Sequence, residues 1–108
     1  MTDNTQNPVA VRLEDKIEFV KEGIVSKTLA EGDFGEVEVF CISKGEALSE
    51  HTASRNAVVH FIKGKARIML GKEWHEAGPN SWFFMPANLP HALEAVEDMV
   101  FVLTLFGS

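Results

Sequence analysis

The stretch AVVHFIKGKARIML, residues 57–70, decides the fold class of this 108-residue chain. Apolar side chains recur at every second position on both sides of Lys63-Gly64, which is the period of a β-strand with one buried face. Glycine accepts the positive φ that a tight turn requires. The stretch therefore predicts a β-hairpin.

The same pattern extends outward from this hairpin in both directions, with glycine, proline or asparagine between the apolar segments. The predicted strands are residues 37–42, 57–62, 66–70, a short strand near Trp74, residues 82–85, a strand that starts at His91, and residues 100–106. Short strands at this spacing are typical of an all-β sandwich or barrel. Because the last strand is apolar on both faces, we expect it to be covered on both sides, within a barrel wall or against a second subunit.

The N-terminal part of the chain has a different pattern. Residues 1–12 are mostly polar and predict a flexible tail, which leaves one domain of ordinary size over residues 13–108. Apolar side chains spaced by four and three residues predict one short helix or turn over residues 13–21; they are Leu13, Ile17 and Val20. The tail has no basic segment followed by an apolar run, so no secretory signal is predicted.

The amino-acid composition argues against some classes of binding partner. The formal net charge is −6 and the ten Lys and Arg residues are scattered, which argues against nucleic acid because phosphate binding requires clustered cations. The longest apolar run, residues 99–106, is far shorter than the roughly 20 residues of a membrane span. The single Cys41 lies in an apolar strand and is expected to be a buried, unreactive thiol, which fits the reducing cytoplasm.

Two segments carry a more specific pattern. Gly45 is followed after five residues by His51 and later by the hairpin Gly64, and residues 80–91 run from Asn80 through Pro86-Ala87-Asn88-Leu89-Pro90 to His91. Over residues 37–106 the chain resembles the cupin superfamily, and in particular its small single-domain bacterial members. The resemblance implies a double-stranded antiparallel β-helix, or jelly-roll barrel, often dimeric, with any site inside the barrel. A homodimer is therefore expected.

The chain also departs from the cupin motifs. Where metal-binding cupins have a second histidine and a glutamate, this sequence has Ala53 and Ala57. Asn80 and Asn88 replace the two glycines of the second motif, which is structurally acceptable because asparagine enters the left-handed region more readily than most residues. Half of the usual ligand set is missing, whereas the turns are expected to survive.

The resemblance places His51 and His91 together inside the barrel as candidate ligands of one divalent transition metal, Zn, Ni, Fe or Mn. On a regular strand His51, Ala53 and Ala57 share one face, and His60 faces the other side unless a bulge intervenes. A third ligand could come from His60, His75, Asn56 or Glu50. The side chains expected to line the ligand pocket are Val59, Phe61 and Phe84.

These residues leave several functions open. One is a binding or sensing module for a small molecule, with the histidine pair as its polar anchor. Another is a metal-dependent oxygenase or isomerase, and a third is an interaction protein that works through its dimer surface. The pair could also be purely structural, each imidazole bonded to the other or to water. The catalytic residues, if any, are not identified by the sequence.

Overall fold

The computed structural model of the chain describes residues 7–107. Within that range it contains one 3-10 helix, Leu13–Lys16, and nine strands. The strands are β1 (Ile24–Gly32), β2 (Gly35–Ile42), β3 (Ala47–His51), β4 (Ala57–Lys63), β5 (Ala66–Leu70), β6 (Glu73–Ala77), β7 (Trp82–Met85), β8 (His91–Ala95) and β9 (Met99–Phe106). No helix in the described range is long and apolar enough to cross a membrane.

The strands form two antiparallel sheets that face each other. The larger sheet has the order β1-β2-β9-β4-β7 and the smaller one the order β3-β8-β5-β6. This is the predicted all-β jelly-roll barrel. The predicted hairpin over residues 57–70 was wrong, because β4 pairs with β7 and β9 whereas β5 pairs with β6 and β8. The turn at Gly64 instead connects one sheet to the other. Gly64 has φ +85°, and a Cβ at this position would lie 2.1 Å from the Asp98 carbonyl oxygen, so this turn requires glycine.

The main core fills the space between the two sheets. Its largest fully buried side chains include Phe61, Ile42 and Met99. The Phe61 ring lies 6.0 Å from the Phe83 ring and 5.5 Å from the Phe101 ring, centroid to centroid, distances at which aromatic pairs attract each other. These three rings join β4, β7 and β9 on the inner face of the larger sheet.

A second, smaller cluster covers the outer face of the larger sheet. Val39, Cys41 and Val100 are buried there beneath Ile17 and Phe19, and the expectation of a buried Cys41 is confirmed. The sequence predicted a helix or turn over residues 13–21, but the observed 3-10 helix ends at Lys16. The predicted element was therefore too long. Ile17 and Phe19 are two residues apart and pack in an extended segment because their apolar contacts lie on the sheet rather than along a helix.

The final strand β9 lies inside the barrel wall, hydrogen-bonded to β2 on one side and β4 on the other. This accounts for its apolar residues on both faces without a second subunit. A different part of the outer face remains exposed, where Trp82 and Phe84 of β7 are 60% and 49% exposed. Homodimer formation stays a prediction. Of the predicted flexible tail, residues 7–12 have no regular secondary structure and residues 1–6 lie outside the described range.

Two asparagines adopt the backbone conformation expected of the glycines they replace. Asn80 has φ 71° and Asn88 has φ 69°. Both values lie in the left-handed region, which asparagine tolerates better than most residues. The expectation that these substitutions preserve the turns is confirmed.

The core and the exposed edge should respond differently to the loss of an aromatic ring. We expect Phe61→Ala to lower the free energy of unfolding by about 3–5 kcal/mol, because Phe61 is 0% exposed and its removal leaves a cavity. Phe84→Ala, on the exposed side of β7, is the matched control and should cost less than about 1 kcal/mol. Urea unfolding measures both values, and equal losses would contradict this assignment of the core.

Candidate functional site

A cavity of about 180 Å³ opens between the two sheets at one end of the barrel. Its wall is formed by Phe40, Leu48, His51, Val59, Ile68, Met85, His91, Ala92, Leu93, Phe101 and Leu103. All of these side chains except the two imidazoles are aliphatic, aromatic or thioether groups. The cavity is therefore an apolar space with a single polar edge.

A β-bulge places the two histidines opposite each other. Strand β3 pairs with β8 at Leu48 and Leu93, and the register then shifts by one residue so that His51 pairs with His91. Such a bulge inserts one extra residue on one strand and redirects the side chains that follow it. Without the shift, Glu50 would stand opposite His91. The two ring centroids are 4.1 Å apart, and the ring planes are inclined by 61°.

Both imidazoles are oriented by their own backbone. The Nδ1 atom of His51 lies 2.7 Å from the Ser49 carbonyl oxygen, and that of His91 lies 2.8 Å from the Leu89 carbonyl oxygen. Because a carbonyl oxygen can only accept a hydrogen bond, each neutral ring carries its proton on Nδ1. Each Nε2 atom is then left with a free lone pair, available to a hydrogen-bond donor or a metal ion.

The structure also corrects how His51 reaches this position. His51 is the last residue of β3, and an irregular loop, residues 52–56, separates it from β4. The assumption of one regular strand through His51, Ala53 and Ala57 was therefore wrong. His51 is solvent-exposed and His91 is half-buried, so the pair lies at the mouth of the cavity rather than deep within it.

The loop that precedes β4 also fixes the segment that precedes His91. The Asn56 side-chain oxygen accepts a hydrogen bond of 2.8 Å from the Ala87 backbone N–H, and the Ala53 carbonyl accepts one of 2.7 Å from the Asn88 N–H. Asn56 was a candidate metal ligand, but its oxygen is engaged in this clamp. The two cupin-like motifs are thus bonded directly to each other beside the histidine pair.

The other candidate third ligands do not join the pair. The register from Ala57 to His60 is continuous, so no bulge turns His60 inward, and it lies on the outer face between Trp82 and Val102. The prediction of His60 as third ligand is therefore corrected. Glu50 lies in the exposed bulge segment of β3.

His75 lies on the inner face of the smaller sheet but away from the pair. It pairs with Ile68, its ring is 5.8 Å from that of Phe83, and its Nε2 is 3.8 Å from a Glu73 carboxylate oxygen. Across residues 7–107 no group of three His, Cys, Asp or Glu side chains is placed to hold a metal ion. The usual cupin ligand set therefore does not fit this cavity.

The three predicted pocket residues have three different positions. Val59 lines the cavity, and Phe61 is buried in the core. Phe84 pairs with Val58 on the outer side of the sheet and is 49% exposed, so its prediction as a pocket residue was wrong. Its neighbour Phe83 faces inward instead. The sequence interpretation missed Phe40 and Leu103. Alternation does not reveal them, because Phe40 shares its strand face with Glu36 and Glu38, and β9 is apolar on both faces.

One carboxyl group near the rim of the barrel has a perturbed pKa. Glu38 pairs with Leu103, a residue of the cavity wall. Partial burial raises the pKa of Glu38, and a hydrogen bond and charge repulsion from Glu36 raise it further, against the opposing effect of Arg55. Arg55 is itself 3.1 Å from the Glu36 carboxylate. The ionised form of Glu38 is therefore disfavoured in the folded state.

Comparison with known families identifies a match over most of the barrel. The sequence model of one family, described as a cupin domain, matches residues 38–106. The comparison with curated proteins returned no match.

Solved structures share the fold over nearly the whole chain. A conserved protein of unknown function from Streptococcus pyogenes is 25% identical, with a TM-score of 0.83 and coverage of 98% of this chain and 93% of that one. A cupin superfamily protein from Desulfitobacterium hafniense is 20% identical, with a TM-score of 0.84 and coverage of 98% and 97%. KdgF from a Halomonas species is 20% identical, with a TM-score of 0.78 and coverage of 94% and 93%.

The tautomers can be tested directly by nitrogen NMR. At about pH 8, where an imidazole is normally neutral, His51 and His91 should both show a protonated Nδ1 and an unprotonated Nε2. This is the minor tautomer of free histidine, so two such residues in one protein are distinctive. Long-range ¹⁵N–¹H correlation spectra report the state of each ring. A protonated Nε2 on either ring would show that its backbone hydrogen bond is not formed.

The raised pKa of Glu38 predicts a dependence of stability on pH. A carboxyl whose folded-state pKa is raised stabilises the protein fully below its unfolded pKa, and this contribution is lost as pH rises through the folded value. Glu38→Gln should therefore gain stability relative to the wild type as pH rises above about 4.5. Urea unfolding between about pH 4 and pH 7 measures this difference. Glu97→Gln is the exposed control, and a Glu38→Gln difference that is the same at both ends of the range would contradict the prediction.

Proposed function

This chain belongs to the cupin domain family, and we propose that its barrel binds a small, largely apolar molecule that carries one hydrogen-bond donor. The observation that carries this proposal is the apolar cavity with two Nε2 lone pairs at its mouth. Binding sites for small molecules are commonly apolar cavities with a few placed polar groups. Among residues 7–107, no charged side chain lines this cavity.

The geometry favours a specific orientation of the ligand. Phe40 and Phe101 stack on each other at 4.9 Å between ring centroids, and both line the cavity. An apolar group of the ligand would contact these rings. A hydroxyl at the other end of the ligand would donate to Nε2 of His51 or His91, which a neutral imidazole in this tautomer accepts. A ligand that carries a charged group would lose its hydration in the interior without a partner of opposite charge.

A metal-dependent oxygenase or isomerase is the alternative function. What favours it is the paired orientation of two Nε2 atoms, each held by a backbone hydrogen bond of the kind that orients metal-binding histidines. A metal bound to the pair would polarise an oxygen atom of the substrate. Two protein ligands are fewer than the roughly three of a catalytic zinc site, so this alternative requires further ligands from Met85, from the substrate or from water.

Phenol and toluene form a matched pair of test ligands because they share the ring but differ in the hydroxyl. We expect phenol to bind with a Kd in roughly the millimolar range or below, because its seven non-hydrogen atoms limit the binding free energy. Toluene should bind about three- to tenfold more weakly because it cannot donate to an imidazole. The double variant His51→Ala/His91→Ala should remove this preference for phenol, whereas His60→Ala, on the outer face, should retain it.

Ligand-observed NMR and isothermal titration calorimetry measure these affinities. Equal binding of phenol by the wild type and by a cavity-filling Leu48→Trp variant would place the ligand outside the barrel and contradict the proposal. An unchanged preference for phenol in the double variant would remove His51 and His91 from the ligand site.

A further inference from the structure

We infer that the cavity is a binding site for monovalent copper, with Met85 as its third ligand beside His51 and His91. This inference deepens the proposed function, since it concerns the same cavity, but it does not depend on the identity of the organic ligand. Met85 is the last residue of β7, is only 5% exposed, and lines the cavity together with both histidines.

The donor atoms in the cavity wall define a soft site. Of its eleven side chains, only His51, His91 and Met85 carry a heteroatom, and these provide two imidazole nitrogens and one thioether sulfur. Thioether sulfur selects monovalent copper, imidazole suits copper as well as zinc, and ions such as Mg²⁺, Ca²⁺ and Mn²⁺ require oxygen ligands. No side-chain oxygen is present in this wall.

The residue opposite Met85 explains why no carboxylate joins the two histidines as a metal ligand. Met85 pairs directly with Ala57 on β4, and both residues are buried. The alanine has no donor atom, and its small side chain leaves room for the long thioether side chain beside it. The next residues along the chain, Pro86 and Ala87, enter the loop that is clamped by Asn56 and leads to His91. Met85 and His91 therefore flank one fixed segment.

Charge favours the monovalent ion. The three donor groups are neutral, so a bound ion keeps its full charge in a largely apolar space. The cost of moving an ion out of water rises steeply with its charge, so Cu⁺ is less costly here than Zn²⁺ or Cu²⁺.

Three other sulfur-bearing side chains of residues 7–107 lie outside the cavity wall, and one of them, Met99, is buried in the main core. Cys41 is buried in the outer cluster with Val39 and Val100, on the opposite face of β2 from Phe40, which lines the cavity. Met69 pairs with Trp74 and Ala92 on β6 and β8, and it is not part of the cavity wall. Both residues therefore serve as matched controls for a copper titration.

The test is an anaerobic titration of the metal-free protein with Cu⁺ against bicinchoninate, a chromophoric Cu⁺ chelator. We expect one equivalent to bind to the wild type. Met85→Leu conserves the side-chain volume and should weaken Cu⁺ binding by roughly tenfold or more, with Zn²⁺ binding changed by less than about twofold. Met69→Leu and Cys41→Ala should bind Cu⁺ like the wild type.

X-ray absorption on the Cu⁺-loaded wild type provides a second readout that needs no variant. A sulfur neighbour that disappears in Met85→Leu supports the inference. Equal Cu⁺ affinity of the wild type and Met85→Leu, or a copper ion with no sulfur neighbour, overturns it, and so does loss of the bound equivalent in Cys41→Ala. Phenol binding by the same variants separates the two proposals, because retained phenol binding without Cu⁺ binding rejects the copper site alone.

Discussion

Backbone pairing between strands determines which side chains enter this barrel. Successive residues of a strand face opposite sides, so a shift of one residue exchanges the inner and outer sets. The shift between Leu48 and His51 is the clearest case, because it brings His51 opposite His91. The register of β4 with β7 is continuous, so no bulge turns His60 inward and its imidazole stays on the outer face of the larger sheet. The composition of the site thus follows from the register at two places.

Much of the fold could be predicted from the sequence, because the apolar alternation and the turn residues are local signals. The turn at Gly64 and the left-handed Asn80 and Asn88 belong to this class. The pairing of β4 with β5 in one hairpin does not, because these two strands lie in different sheets. The site could be predicted only in part. A bulge arises from pairing between distant strands and leaves no local signal. In residues 82–85 apolar side chains occupy both faces, so only the pairing with β4 shows that Phe83 faces inward and Phe84 outward.

A small set of polar contacts holds the mouth of the cavity in one geometry. The backbone carbonyls of Ser49 and Leu89 orient the two rings, and Asn56 joins the segments that precede β4 and β8. Side chains oriented in this way lose little conformational entropy when a ligand or an ion binds. The interior behind them is apolar, so shape and hydrophobic contact would select the rest of the ligand.

The central position of β9 also determines when the barrel can close during protein synthesis. β9 is the last strand of the chain, yet it lies between β2 and β4 and pairs with both, and Val100 belongs to the cluster covered by Ile17 and Phe19. During synthesis from the N-terminus, neither the larger sheet nor its outer cover can close until residues 99–106 have left the ribosome. The barrel can therefore close only after these residues have emerged, and until then β2 and β4 each expose an unpaired edge that can associate with other chains.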